Sequence, residues 1–202
     1  MSKICKVCFK NFTYFGIQFF NKNICICPTC FNELIPIFRL FYKDGIHYQI
    51  LYDYNEKMRN LIFNFKGCFD FELKDIFLCR FLYELRLKYI GYYLVPLPSN
   101  KEDDEKRGFN HVIEIFKCLN LPFINCLYKK IHYKQSDLNK TEREKVYEKL
   151  DIINGKDLTN KKILIVDDIM TTGSSIKAAI KHVKKYNPKV IKVLVLCHKN
   201  EK

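Results

Sequence analysis

The sequence predicts an α/β protein, a parallel and doubly wound sheet with a small cysteine-rich module in front of it. Three observations carry this. Short apolar runs alternate with stretches of ten or more residues whose apolar positions have helical spacing, the pattern of βαβ units. One run, Ile163 to Val166, leads into two carboxylates, a hydroxyl- and glycine-rich turn and a helix-like segment. Near the N-terminus two Cys-x-x-Cys pairs, Cys5/Cys8 and Cys27/Cys30, stand eighteen residues apart.

The chain has 202 residues, enough for one α/β domain and a small appendage, which the sequence divides into a module at 1–40 and a domain at 41–202. Hydrophobic residues make up 48% of it, so a full core is possible. No uninterrupted apolar run reaches the roughly 18 residues of a membrane helix, and the opening Met-Ser-Lys-Ile-Cys lacks the apolar stretch of a signal peptide. A cytoplasmic protein without membrane insertion is expected. Ten cysteines in such a chain argue against a disulfide framework. Cys25, Cys68, Cys79, Cys118, Cys126 and Cys197 lie among apolar neighbours and read mostly as small core residues. Lys plus Arg is 35 against 22 acids, a net charge of +13. That balance favours polyanions such as nucleotides or nucleic acid. A lysine-rich compositional background accounts for it equally well.

Taken in order, the two cysteine pairs have the spacing of a four-cysteine zinc ribbon, in which each knuckle directs two thiolates to one tetrahedral ion. The Phe-rich stretch between them reads as a hairpin too small to fold on its own core, so structural Zn²⁺ supplies stability. Cys27 completes the spacing and is preferred over Cys25 as the third ligand. Pro36 and Lys43-Asp44-Gly45 separate this module from the larger domain. His47 to Tyr54, aromatic and β-branched, is a strand. Asn55 caps a helix with Met58, Leu61, Ile62 and Phe65 on one face, ended by Lys66-Gly67. A second helix is expected over 71–89, then a strand from Tyr92 to Leu97 closed by Pro98 and Ser99. An acidic loop, 101–106, precedes Arg107-Gly108-Phe109-Asn110 and a helix to about Leu119. Phe123 to Leu127 reads as a strand, 129–139 as a polar mobile segment, and 141–150 as a charged helix with capping-box spacing at Thr141 and Glu144. The strand at 163–166, a helix at 174–186 and a strand at 190–197 complete the pattern.

The functional signal is Val-Asp-Asp-Ile-Met-Thr-Thr-Gly-Ser-Ser, 166–175. Open α/β sheets bind ligands beyond the carboxyl ends of their strands. Asp167 and Asp168 stand at such an end and suit two neighbouring sugar hydroxyls or the water shell of Mg²⁺. Gly173 lets backbone approach a phosphate. Thr171, Thr172, Ser174 and Ser175 add hydroxyl donors, and the next helix offers free N–H groups and partial positive charge. Arg107 follows another strand on the ligand edge, where its planar fork suits a pyrophosphate. It reads equally well as a solvated arginine beside the Asn110 cap.

The 163–176 segment resembles the phosphoribosyl pyrophosphate (PRPP) loop of type I phosphoribosyltransferases. The resemblance implies that Asp167 and Asp168 hold the ribose, that Thr171 to Ser175 hold the 5-phosphate with Mg²⁺ alongside, and that the turn at Ser99 and Asn100 takes pyrophosphate. The landmarks together also resemble the ComF (ComFC) family: the four-cysteine ribbon, the helix end from Leu61 to Gly67, Val95-Pro96-Leu97-Pro98, Arg107 to Asn110, Gln135, Glu142-Arg143 and the PRPP-type loop. This implies a PRPP-binding protein with a role in natural competence, handling incoming single-stranded DNA beside competence-machinery proteins. The alternative is an active transferase moving 5-phosphoribosyl to a nitrogenous acceptor, with Asp167 and Asp168 as its catalytic acids. In type I enzymes a mobile loop closes over PRPP; Gln135, Arg143 and the lysines at 130, 134 and 140 lie in a segment placed like it. His132 is ambiguous, and His111 reads as a surface or core histidine. Two departures stand out: Lys145-Val146 where relatives carry asparagine, and the acids 102–105 where they are more basic.

Overall fold

The computed structural model describes residues 3–13, 25–129 and 150–199. Two short strands, β1 (Lys3–Ile4) and β2 (Asn11–Phe12), pair antiparallel ahead of helix α1 (Pro28–Glu33). The central sheet has the order β3-β4-β9-β8-β5, from β3 (Pro36–Lys43), β4 (Ile46–Asp53), β9 (Val190–His198), β8 (Lys162–Met170) and β5 (Tyr92–Pro96). β4, β9, β8 and β5 run parallel, as the sequence predicts, whereas β3 is an antiparallel edge.

Burial on both faces explains why β8 and β9 read as unbroken apolar runs rather than alternating ones. Successive residues go to opposite sides of the sheet. Leu164, Val166, Leu194 and Leu196 face one core with α2 (Glu56–Gly67), α3 (Leu82–Lys88) and α5 (His111–Phe116). Ile163, Ile165, Val193 and Val195 face the other with α6 (Ser174–Lys184). Cys5, Ile26, Cys27, Cys30 and Leu34 belong to the first core, so the cysteine module and the sheet are packed together.

α2 forms where its apolar spacing places it: Met58, Leu61, Ile62 and Phe65 are buried, and the Asn55 side chain accepts from Met58 N at its start. Several expectations are corrected. β3 occupies a stretch that the sequence presents as a separator. It shows no alternation because most of it is exposed on both faces, and position 40, where the sequence divides the chain, lies inside it. Asp44 (φ 52°) and Gly45 (φ 79°) form the two-residue turn joining it to β4. The helix expected over 71–89 is a 3₁₀ turn (Phe71–Asp75) and then α3. Between them Ile76, Phe77 and Leu78 are all fully buried, which a one-faced helix does not allow. The acidic loop is instead helix α4 (Lys101–Arg107). Asn100 caps it, three acids in its first turn suit the helix dipole, and Gly108 (φ 79°) closes it.

The strand expected at 123–127 reduces to a single parallel bridge from Phe123 to Leu94. β6 (Leu127–Lys129) pairs with β7 (Leu150–Ile152) beyond it. β8 extends to Met170, so the acid pair sits inside the paired end of the strand rather than after it. The hairpin between the cysteine pairs is described only at its edges. The charged helix at 141–150, Gln135, Glu142, Arg143, His132 and the lysines at 130, 134 and 140 lie outside the described residues. Among the described residues no helix is long and apolar enough to cross a membrane.

Phe65 is fully buried against Phe77 and Phe109, with ring centroids 5.4 and 5.1 Å away. Phe65→Ala is expected to lower the unfolding free energy by about 3–5 kcal/mol in urea titrations, the usual cost of a large aromatic cavity.

Candidate functional site

A cleft of about 260 Å³ opens at the carboxyl ends of β5 and β8. Each wall comes from a different element. β8 brings Asp167 and Asp168, the end of α2 brings Lys66, and the turn after β5 brings Ser99 and Asn100. Arg107 comes from the end of α4, His111 from the start of α5 and Ser175 from the first turn of α6. Leu97 N donates to Val166 O (3.0 Å), which holds the turn carrying Ser99 beside the acid pair.

Asp168 is nearly inaccessible and its carboxylate is engaged on both oxygens. Lys66 Nζ lies 2.7 Å from Oδ2 and His111 Nε2 lies 3.6 Å from Oδ1. The ring closes through Arg107, whose Nε donates to Lys66 O (2.9 Å) and whose Nη1 lies 3.2 Å from His111 Nδ1. An Nη1 donor there makes Nδ1 the acceptor and leaves the Nε2 proton facing Asp168. Burial pushes the Asp168 carboxyl upward, but the His111 hydrogen bond and the Lys66 charge outweigh it and hold it well below the usual carboxylate range. Burial and the neighbouring Asp168 charge push Asp167 the other way, well above that range. Asp167 Oδ1 accepts from Asp168 N (3.0 Å), which fixes its rotamer. The two carboxyls are therefore electrostatically unlike: one is held ionised by its partners, and its neighbour is biased toward the protonated form.

Arg107 does not project into solvent as its loop-end position suggests. Its side chain is 7% exposed and also pairs with Asp104 Oδ1 at 2.9 Å. Asp104 in turn accepts from Asn110 Nδ2 (2.8 Å) and from the Ser99 hydroxyl. Of the acids at 102–105, Asp104 is thus turned inward and paired, and Asp103 lines the cleft. The loop from Thr171 to Gly173 is largely exposed. Gly173 takes φ 72° and starts α6 with no side-chain cap, while Ser174 N and the Thr172 hydroxyl bond within the loop. Of the predicted residues, Asp167, Asp168, Ser99, Arg107 and Ser175 meet at one cleft. Thr171, Thr172, Gly173 and Ser174 form the adjoining turn. Sequence reasoning misses two residues. His111 reads as surface or core, although its place directly after the Asn110 cap, four residues past Arg107, puts it at the start of the helix that follows the Arg107 turn. Lys66 shows in the sequence only as a helix end.

Cys5, Cys8, Cys27 and Cys30 bring their sulfurs within 4.8 Å of one another. Cys8 and Cys27 Sγ are 3.7 Å apart, against about 3.8 Å for two thiolates on a tetrahedral ion with Zn–S near 2.3 Å. Val7 N and Cys27 N point at Cys5 Sγ (3.4 and 3.2 Å), and Cys30 N at Cys27 Sγ (3.5 Å), donors that suit thiolates. The donor set and spacing fit a structural zinc. Cys25 stands outside the cluster, its thiol pushed up to about 11, chiefly by burial. The module is tied down by Lys6 to Glu72 and Asp75 (2.7 and 2.8 Å), by Arg80 to Phe31 O, and by Glu33, which meets Lys57 and Asn55 of the α2 start.

Residues 107–202 match the phosphoribosyl transferase domain family. Competence protein ComFC of Streptococcus pneumoniae (strain ATCC BAA-255 / R6) is 28% identical over 176 residues, 84% of this chain and 79% of that one. Competence protein ComFC of Bacillus subtilis (strain 168) is 31% identical over 170 residues, 76% of this chain and 69% of that one. Among solved structures, an adenine phosphoribosyltransferase is 17% identical, covering 84% of this chain and 89% of its own at a TM-score of 0.45.

The Lys66–Asp168 pair gives a pH-dependent prediction. Lys66→Met leaves a buried carboxylate without its cation and is expected to cost about 2 kcal/mol at pH 7, less than a fully enclosed pair because Lys66 is partly solvated. A depressed folded-state pKa contributes stability above the unfolded value of about 3.9 that is lost as pH falls. The gap between wild type and variant should therefore narrow below about pH 4, as urea titrations across pH will read.

Proposed function

The chain belongs to the ComFC family of phosphoribosyltransferase-like competence proteins, and on that footing we propose that it binds PRPP, or a related phosphoribosyl ligand, with Mg²⁺ in the Asp168 cleft. The observation that carries this reading is the unlike acid pair at the end of β8, opening between the turn at Ser99 and the start of α6. Asp168, fixed by Lys66 and His111, sets the position of its neighbour. Asp167 accepts from the ribose hydroxyls or from the water shell of Mg²⁺. The 5-phosphate sits on the Thr171–Ser175 turn, where the uncapped start of α6 supplies N–H donors. Arg107 and Ser99 lie on the pyrophosphate side, where Arg107 acts partly by keeping His111 and Lys66 in place.

The cellular role that fits is in natural competence, in the cytoplasm, where the protein handles incoming single-stranded DNA beside other competence proteins. The net charge of +13 and exposed rings such as Phe9 and Phe63 suit a strand held by phosphate contacts and stacking. The four-cysteine module holds structural Zn²⁺ and fixes the start of α2, at the far end of that helix from the cleft.

Asp167→Asn is expected to weaken Mg²⁺-PRPP binding at least about tenfold by calorimetry, with an unchanged circular dichroism spectrum. Unchanged affinity would remove the acid pair from the site. Single-stranded DNA binding that survives this substitution and falls steeply with salt supports the competence role. Pyrophosphate release from PRPP with a panel of bases would instead establish a transferase. Cys8→Ser is expected to drop bound zinc below one equivalent per chain by metal analysis and to lower Tm by several degrees.

A further inference from the structure

At the opposite end of the sheet from the cleft, where β4, β5, β8 and β9 begin, one row of side chains crosses all the strands: Tyr92, Lys162, Lys192, His47 and Tyr42. We propose that this row seats single-stranded nucleic acid, at a surface separate from the ligand cleft. The proposal rests on the single-stranded DNA handling proposed above and says where on the molecule the strand lies.

Register and pleat make the row. Tyr92 stands opposite Lys162, Lys192 opposite Leu164 and His47, and His47 opposite Tyr42. Paired residues share a face of the sheet, and so do residues two apart on one strand. Leu164 faces the first core, so the whole row lies at the edge of that face. At about 4.8 Å between strands the row is roughly 19 Å long, and at about 3.3 Å per residue Lys162 lies roughly 17 Å along β8 from Asp167.

The lysines here are held by neutral groups. Lys192 and Lys162 place their Nζ atoms 5.2 and 5.8 Å from the centre of the Tyr92 ring. Lys88, at the end of α3, donates to Gln49 Oε1 (2.7 Å) and lies 5.5 Å from the Phe38 ring centre. Gln49 is buried on the same face, opposite Leu194. Partial burial lowers the proton affinity of Lys88; Glu84 opposes this and the Lys192 charge adds to it, so Lys88 and Lys192 feel each other. Among the described residues none of the three is in an ion pair, whereas Lys6, Lys57, Lys66, Lys101 and Lys117 each meet an acid. A cation held by a ring or an amide keeps its charge for a ligand, and one held by a carboxylate does not. A lysine-rich composition accounts for the number of lysines but not for three unpaired ones converging on one edge.

The row also carries rings. Tyr42 is 65% exposed, His47 is exposed, and their ring centres are 4.7 Å apart. Unpaired cations beside exposed rings suit the phosphates and the free base faces of a single strand.

The test follows a labelled deoxythymidine oligonucleotide by fluorescence anisotropy across a salt series, using the full chain. Replacing both row lysines, Lys162→Gln with Lys192→Gln, is expected to weaken binding at least about tenfold at low salt. It should also reduce the slope of log K against log salt by about 1.4, the share of two phosphate contacts on a single strand. Lys162→Arg with Lys192→Arg should keep the wild-type slope, which separates lost charge from lost fold. Tyr42→Ala should weaken binding at least about fivefold with the slope unchanged, the mark of a stacking contact. The same charge change on α4, Lys101→Gln with Lys106→Gln, should leave binding near wild type. An equal loss from the α4 pair overturns the row, since net charge alone then explains the binding, and so does a row variant that binds like wild type. If vesicles of phosphatidylglycerol bind the protein, and the row variant loses the vesicles but keeps the oligonucleotide, the row is a lipid surface and the proposal falls. Wild-type protein that does not bind the oligonucleotide overturns both this row and the DNA-handling reading, whereas the other negative results overturn the row alone.

Discussion

A carboxylate sealed at the end of a central strand needs a cation, and Asp168 takes Lys66 from 102 residues earlier in the chain. Much of the cleft follows from that pair. Lys66 must come from the last turn of α2, so α2 must run toward the ligand edge of the sheet. Its carbonyl then receives Arg107, and Arg107 reaches His111, whose other nitrogen returns to Asp168. Four residues from four elements close a ring around one buried charge. The cost of burying a carboxylate alone is several kcal/mol, so each member constrains the others. Asp167 is left as the acid free of that ring, with its proton affinity raised by burial and by the charge beside it.

The rest of the architecture holds this ring still. β8 and β9 are buried on both faces, which fixes the strand that bears the acids. The start of α2 is gripped through Glu33, which follows the second cysteine knuckle closely, and the Phe65 end is packed by Phe77 and Phe109. The four-cysteine cluster thus stands at one end of α2 and the anchored acid at the other.

Legibility in the sequence followed burial. The parallel core strands were readable because both faces are covered, which makes their apolar runs continuous. α2 was readable from its one-sided spacing and its asparagine cap. β3 was not, because an edge strand exposed on both faces has no alternation to see. The segment 71–89 misled because Ile76, Phe77 and Leu78 are enclosed on all sides, so their apolar density looked helical. The acids at 102–105 read as a loop because no apolar face marks α4. The hydroxyl- and glycine-rich turn before α6 was legible as a local motif, whereas Lys66 and His111 had no local sign of their place beside Asp168.

By itself the sequence determined which residues are chemically equipped to act: four cysteines at knuckle spacing, two acids ending a buried strand, a glycine and hydroxyls before a helix. These are local properties, set by spacing of a few residues. Only the tertiary structure decided how those groups differ. Asp167 and Asp168 are alike in sequence and become opposites because Lys66 and His111 reach one of them. Arg107 turns inward because Asp104, Lys66 O and His111 converge on its guanidinium. Electrostatic character depends on distance and burial, and both are fixed by contacts between residues far apart in the chain.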